Sequence, residues 1–340
     1  MQEKAREQFF LFKKEILEYV DQLISFLPDE PLSKRFHELV DYTTNGGKCI
    51  RGLLSVYGFL ELTGIDPLND DAKPAYALGW AQEIFQASFL VADDLMDHSS
   101  LRRGVPSWYT KDGNGYVAVS DSYFLENIIY QIIEHFFGNK FKKETIRKIK
   151  SLLHETTIMT AIGQYIDNLK KEPKMENWNL TVNNKTSYYT IWQPFISGLS
   201  LSEKVPQKII EDSKLKEMLL KAGRLFQCQD DYLDLYGDYG KLGKIGTDIQ
   251  DGKLTWLYAK AMDIANEEQK NILLNNIGSN DETKILKIKK VYQELNIARI
   301  CIDFQKDEYN EIEKGFSEFN SVLPKELIKY LLSLLKNREF

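Results

Sequence analysis

Residues 76–97 read YALGWAQEIFQASFLVADDLMD, a run apolar on nearly every side until it closes on Asp93, Asp94 and Asp97. A helix with that surface belongs in the middle of a bundle, because no face of it prefers water. Residues 218–234, MLLKAGRLFQCQDDYLD, repeat the arrangement: an apolar approach, a glutamine, then Asp230, Asp231 and Asp234. Two central helices therefore end in carboxylates, and the expected fold class is all-α.

The flanking sequence agrees. From about residue 3 to 27, apolar residues including Phe9, Phe12, Ile16, Val20, Leu23 and Ile24 recur at spacings of three and four, the pattern of an amphipathic helix. Further helical patterns run roughly over 32–43, 49–64, 72–98, 117–137, 143–170, 183–200, 211–236, 252–264, 281–318 with breaks, and 324–336. Strand-like alternation is nowhere sustained. Breakers fall at Asn45-Gly46-Gly47, Gly104 to Gly115, Lys171 to Trp178 and Gly237 to Gly252. With no Gly/Ser- or Pro-rich linker and no internal repeat, residues 1–340 are expected to form a single domain.

Composition narrows the classes. At 43% apolar and 28% charged residues, with 9 prolines and 20 glycines, the chain suits long helices better than strands and turns. Its net charge of −6 comes without a basic stripe, which argues against a nucleic-acid partner. The amino-terminal stretch MQEKAREQFFLFKKEILEYV lacks an uninterrupted signal-peptide core, and no segment approaches the roughly 20 apolar residues of a membrane span. Cys49, Cys228 and Cys301, odd in number and far apart, suggest neither a disulfide framework nor a zinc site. A reducing, cytoplasmic location is the simpler expectation.

In each acidic cluster the first and third aspartates stand at i and i+4, one turn apart, where two carboxylates can share a cation. Without a cation they repel, and they oppose the negative end of the helix dipole as well. A divalent metal reverses that sign. Magnesium suits the role, since it prefers hard oxygen ligands, keeps waters and bridges carboxylates to phosphates. One DDxxD run alone reads as a solvated face; two with the same spacing, each after an apolar helix, point to a shared metal site. Around them stand cations: Lys48 and Arg51 in GGKCIRG, Arg102 and Arg103 in LRRG, Lys185 in KTSYY and Lys244 in GKIGTD. Arg102 and Arg103 follow Asp97 closely, where guanidinium forks can meet a phosphate held by the metals. Gly46 and Gly47 place backbone amides at a helix start, a weak signal for anion binding.

The strings GGKCIRG, LVADDLMDHSSLRRG, IGQYID, KTSYY, FQCQDDYLDLYGD and GKIGTDIQDGKLTW, over about residues 40 to 260, occur in the order seen in farnesyl and geranylgeranyl diphosphate synthases of the eukaryotic type. The sequence resembles that trans-isoprenyl diphosphate synthase family. The resemblance implies a bundle of about ten core helices around a deep central cavity, a homodimer, and three Mg2+ ions per site. It further implies condensation of isopentenyl diphosphate with dimethylallyl, geranyl or farnesyl diphosphate. Asp93, Asp97 and Asp230 resemble direct magnesium ligands, with Asp94, Asp231 and Asp234 completing the acidic rims through hydrogen bonds or water. Arg102, Lys185 and Lys244 resemble clamps on the allylic diphosphate; Lys48, Arg51, Gln86 and Arg103 resemble the isopentenyl diphosphate pocket. Thr186 and Gln227 resemble groups facing the developing carbocation, Asp248 and Lys253 resemble a supporting layer, and Thr186, Gln227 and Lys253 are counted with the substrate-binding residues.

Departures from the family pattern bear on product length. The two positions before LVADD, both aromatic in farnesyl synthases of this type, are here Ser88 and Phe89. At about 1.5 Å per residue they lie roughly 6 to 7.5 Å along the helix from Asp93. Loss of one aromatic predicts products beyond farnesyl. Ile50 replaces the usual Asn before Arg51, and the terminus carries only Lys336 and Arg338 where the family has a denser basic tail. His98, beside Asp97, reads as loop surface. A terpene cyclase would carry a second motif mixing Asn or Asp with Ser/Thr and Glu, which DDYLD is not. A carboxylate-bridged iron protein would show Glu-x-x-His pairs, absent here. A non-catalytic helical partner would have no use for both acidic clusters and their cations.

Overall fold

The computed structural model describes residues 1–169, 171–237, 246–319 and 321–336. Its α-helices are α1 (Gln2–Leu11), α2 (Lys13–Leu23), α3 (Glu30–Thr44), α4 (Ile50–Thr63), α5 (Lys73–Met96), α6 (Ala118–Phe137), α7 (Lys143–Asn168), α8 (Met175–Val182), α9 (Gln193–Ser202), α10 (Gln207–Ile210) and α11 (Ser213–Tyr236). Beyond these come α12 (Asp248–Asp251), α13 (Trp256–Ile264), α14 (Glu267–Asn276), α15 (Glu282–Glu294), α16 (Ile297–Ser317) and α17 (Lys325–Lys336). Among the described residues the sole sheet is a two-residue hairpin, β1 (Leu101–Arg102) with β2 (Val105–Pro106). The fold is all-α, and no described helix is long and apolar enough to cross a membrane.

Several segments differ from their sequence patterns: α8 begins inside the expected breaker over 171–178, α12 sits inside that over 237–252, and α14 lies where no helix is expected. The helix expected over 3–27 is two helices that meet at Phe12. The segment expected as a plain helix over 183–200 opens as a π-helix, Asn183–Trp192, before α9. Apolar spacing of three and four fits both geometries over so short a span, so periodicity alone does not separate them.

The chain divides into two compact units. The first comprises residues 1–154, 193–210 and 322–327, the second 155–192, 211–321 and 328 onward. Within the first, α5 is the buried centre and is wedged close to α4: a Cβ on Gly52 would lie 2.8 Å from the Gly79 carbonyl oxygen. Trp80 stacks on Phe9 at 4.7 Å and donates its indole N–H to the Phe9 carbonyl at 2.7 Å. Asp121 on α6 takes both guanidinium arms of Arg35 at 2.7 Å and the Trp108 indole at 2.8 Å, which fixes the chain after the hairpin. Within the second unit α11 packs on the π segment and on α16 around Trp178, Tyr232, Trp256, Tyr292, Cys228 and Cys301. The Cys228 and Cys301 sulfurs stand 3.6 Å apart as free thiols.

Candidate active site

In the first unit, half-buried side chains along α5 trace one face: Gln86, Phe89, Asp93 and Asp97, at spacings of three and four. Asp94 points the other way. Only 3% exposed, it accepts the Arg102 Nε at 3.0 Å and pairs closely with Arg102 Nη2, which also reaches Asp93 Oδ2 at 3.4 Å. Burial pushes the Asp94 carboxyl above its ordinary value while the Arg102 guanidinium pulls it back. The middle aspartate thus aims Arg102 beside Asp93.

The hairpin that delivers Arg102 and Arg103 turns on Arg103 (φ 54°) and Gly104 (φ 78°), both left-handed. A two-residue turn of that hand matches the twist of the strands it joins, which accounts for a glycine directly after the two arginines. Arg103 reaches back to donate from Nη1 to the Asn45 carbonyl at 2.6 Å. Its guanidinium lies against Gly47, where a Cβ would come within 3.0 Å of it. In GGKCIRG, then, the second glycine leaves room for an arginine. Lys48 is exposed, Cys49 sits in a left-handed conformation (φ 50°), and Arg51 is buried at the start of α4.

Glu83 is a candidate positioning residue that pattern reading missed. It is the sole charged side chain between Tyr76 and Ala92, buried, and it accepts the Gly52 amide at 2.7 Å. Burial pushes its carboxyl up, and the charges of Arg51 and Arg103 oppose that. It gathers the two arginines under the Lys48 loop. The available signal was a lone acid inside an otherwise apolar run. Ser88, by contrast, is buried off the half-exposed face. Its hydroxyl donates to the Phe85 carbonyl at 2.7 Å, and Ser122 on α6 donates to the Ser88 carbonyl at 2.8 Å.

In the second unit the same spacing recurs on α11, where Gln227, Asp230 and Asp234 are half-buried and Asp231 is buried. Asp231 accepts the Trp178 indole at 2.9 Å, the Trp256 amide at 2.7 Å and the Gln227 amide at 2.9 Å. Burial still pushes its carboxyl up to about 7. With its NH2 committed to Asp231, the Gln227 side chain presents its oxygen to Thr186, whose hydroxyl donates to it at 3.0 Å. That chain of bonds fixes which way the Thr186 proton points and leaves the oxygen's lone pairs facing elsewhere. Asp234 accepts the Asp248 amide at 3.0 Å, and Lys253 donates its backbone N–H to the Asp248 carbonyl at 3.0 Å. Lys185 and Lys253 both pair with Asp167 on α7, at 2.7 and 3.2 Å. Lys336 lies over the Tyr309 ring at 6.0 Å. His98 is exposed. Lys244 and Arg338 lie outside the described residues.

Among the described residues no three acids, histidines or cysteines come close enough to cage a metal. The donors present are hard carboxylates in pairs. Magnesium fits such a set, because it takes one or two carboxylates and completes its shell with waters and substrate phosphate oxygens. A cation that needs an all-protein cage does not.

Comparison with known proteins agrees with this layout. The family model described as polyprenyl synthetase matches residues 33–295. The chain belongs to the polyprenyl synthetase family. This member is 34% identical over 329 residues to the farnesyl pyrophosphate synthase of Candida albicans, covering 93% of this chain and 92% of that one. It is 33% identical over 321 residues to the chloroplastic monoterpene synthase FDS-5 of Artemisia spiciformis, covering 92% and 79%. In fold it superposes on a T. brucei farnesyl diphosphate synthase complexed with bisphosphonate, with a TM-score of 0.89 at 24% identity, over 98% of this chain and 100% of that one. The matched segment of this polyprenyl synthetase runs without a break through both units and contains both aspartate pairs.

Proposed function

We propose that this polyprenyl synthetase condenses isopentenyl diphosphate head to tail with allylic diphosphates, as one catalytic domain over residues 1–340 working with about three magnesium ions. The observation that carries the reading is the pair of helices, α5 and α11, each presenting aspartates one turn apart on a half-buried face, in a chain of this family. Asp93, Asp97, Asp230 and Asp234 would hold the metal directly or through water, with Asp94 and Asp231 fixing the surrounding groups.

Arg102, Lys185 and Lys244 hold the allylic diphosphate, and Lys48, Arg51, Arg103 and Gln86 hold isopentenyl diphosphate. When bound, the metal neutralises charge that builds on the leaving diphosphate. The allylic C–O bond breaks with its electron pair leaving on diphosphate, and the arginine and lysine forks stabilise that charge as it forms. The hydroxyl oxygen of Thr186, its proton committed to Gln227, and the Gln227 dipole face the allylic cation. The isopentenyl double bond then forms the new C–C bond, and a proton passes to a diphosphate oxygen. No protein nucleophile is needed.

Product length is set by the α5 wall. Farnesyl pyrophosphate synthases and a monoterpene synthase stand at nearly equal identity to this chain, so overall similarity does not decide it. At the α5–α6 contact the Ser122 hydroxyl donates to the Ser88 backbone carbonyl, so both positions carry small side chains there, and Phe89 remains on the half-buried face. Products are proposed to include geranylgeranyl or longer chains beside farnesyl. Ser88→Phe is expected to shift the distribution shorter by at least one five-carbon unit, read by chromatography of labelled products; an unchanged distribution would exclude Ser88 as a length determinant.

A homodimer is proposed from two exposed apolar stripes: Ile158, Ile162 and Tyr165 along α7 with Leu169 just past its end, and Tyr116 just before α6 with Val119 and Tyr123 in its first turns, Tyr116 being 84% exposed. Surfaces of that kind are usually covered. Sedimentation equilibrium is expected to give twice the chain mass, and Ile162→Asp to lower it; a monomeric wild type would refute the stripes as an interface. The three buried free thiols support a reducing, cytoplasmic location.

A further inference from the structure

Gln82 is buried in the middle of α5, 1% exposed, and neither its amide nitrogen nor its amide oxygen has a hydrogen-bond partner. Among the described residues no other buried side chain leaves two polar atoms in that condition. Its polar neighbours are paired: Glu83 takes the Gly52 amide, and Ser55 on α4 donates to the Pro194 carbonyl at 2.8 Å. Gln82 stands four positions before Gln86 and eleven before Asp93. Eleven residues make about three turns, so Gln82 continues the stripe of Gln86, Phe89 and Asp93, roughly 16 Å along the helix from Asp93. Around it α5 is apolar. Leu78 and Phe85 are buried, and the Phe85 ring meets that of Phe89 at 4.7 Å. In the same unit α9 packs against α4 and α5 and brings two more buried polar atoms without a partner, Gln193 Oε1 and Ser200 Oγ.

We propose that Gln82 is a recognition residue for oxygenated substrates, its amide binding a hydroxyl at the far end of an allylic diphosphate whose reacting end lies at Asp93. The inference deepens the function proposed above and rests on it. A farnesyl chain laid extended along the stripe from a diphosphate at Asp93 ends near the depth of Gln82. A carboxamide offers both a donor and an acceptor, and an alcohol satisfies the two together, accepting from Nε2 and donating to Oε1. The methyl end of a plain prenyl chain satisfies neither and leaves the amide unpaired. An alcohol that pairs there compensates its own burial and that of the amide at once, so this wall discriminates in favour of a polar tail.

The test compares two primers, farnesyl diphosphate and farnesyl diphosphate carrying a hydroxyl on its terminal methyl carbon. Single additions of labelled isopentenyl diphosphate are followed on the full-length protein with magnesium, and the readout is the ratio of kcat/KM for the two primers. Wild type is expected to favour the hydroxylated primer, chiefly through a lower KM. Gln82→Leu and Gln82→Met are each expected to lower the ratio by about 10- to 100-fold, the discrimination that one or two buried hydrogen bonds supply. Both variants are expected to fold and to melt at or above the wild-type temperature, since each replaces an unpaired buried amide by an apolar side chain of similar size. A merely structural role for Gln82 would change both primers alike and leave the ratio where it was. A ratio unchanged in both variants, or a wild type that prefers the plain primer, would overturn the proposal, while elongation of farnesyl diphosphate in the same assay would keep the general reading intact. Folded protein that elongates neither primer would remove that reading, and this inference with it.

Discussion

Asp93→Ala is expected to lower kcat/KM for elongation by about a thousandfold or more, since in the proposed mechanism several kcal/mol of charge stabilisation would depend on a metal held at that carboxylate. The same change should leave the metal-free fold nearly as stable as wild type. Asp93 is half-buried, stands one turn from Asp97 of like charge, and lies at the negative end of α5, so its removal relieves repulsion as well as loosening the 3.4 Å contact with Arg102. Thermal melting in chelator is expected to differ from wild type by no more than about 1 kcal/mol in stability. Adding magnesium and diphosphate together should raise the melting temperature of wild type but not of Asp93→Ala, because ligand binding to the native state appears directly as stability. Equal stabilisation of both would place the metal elsewhere.

Gly163→Ala is expected to cost about 3 kcal/mol or more and to lower activity with it. The added methyl would lie 2.2 Å from the Lys185 nitrogen, 2.5 Å from its Cα and 2.6 Å from the Asn184 carbonyl carbon, all backbone atoms that have no rotamer by which to yield. α7 must then move off the π segment, and Asp167 and Lys185 separate with it. Urea unfolding checks the stability and steady-state assays the turnover. A variant as stable and active as wild type would show that α7 and the π segment do not pack as closely as described.

Gly163 also shows where sequence reading ends. The string IGQYID stood out as a family likeness, but its glycine and its aspartate gain physical meaning only once the π segment lies against α7. Fold class and the two acidic helices were legible because all-round apolar runs such as 76–92 admit few placements other than a bundle core. The hairpin at 101–106 was not, since two-residue strands are too short for alternation to register. The division of labour within DDLMD was half legible. Spacing puts Asp93 and Asp97 on one face, yet that Asp94 turns inward to aim Arg102 depends on a partner eight residues away across a turn. Glu83 and Asp167 escaped for a related reason: each is a lone acid, and its significance lies in the cations that fold back upon it.

The measurement that bears most directly on the proposed activity is incubation of the purified protein with magnesium, labelled isopentenyl diphosphate and, separately, dimethylallyl, geranyl and farnesyl diphosphate, with products resolved by chain length. Magnesium-dependent incorporation of label into longer prenyl diphosphates, with release of inorganic diphosphate and extension of the farnesyl primer, is the predicted result. Folded protein that incorporates no label with any primer would contradict it.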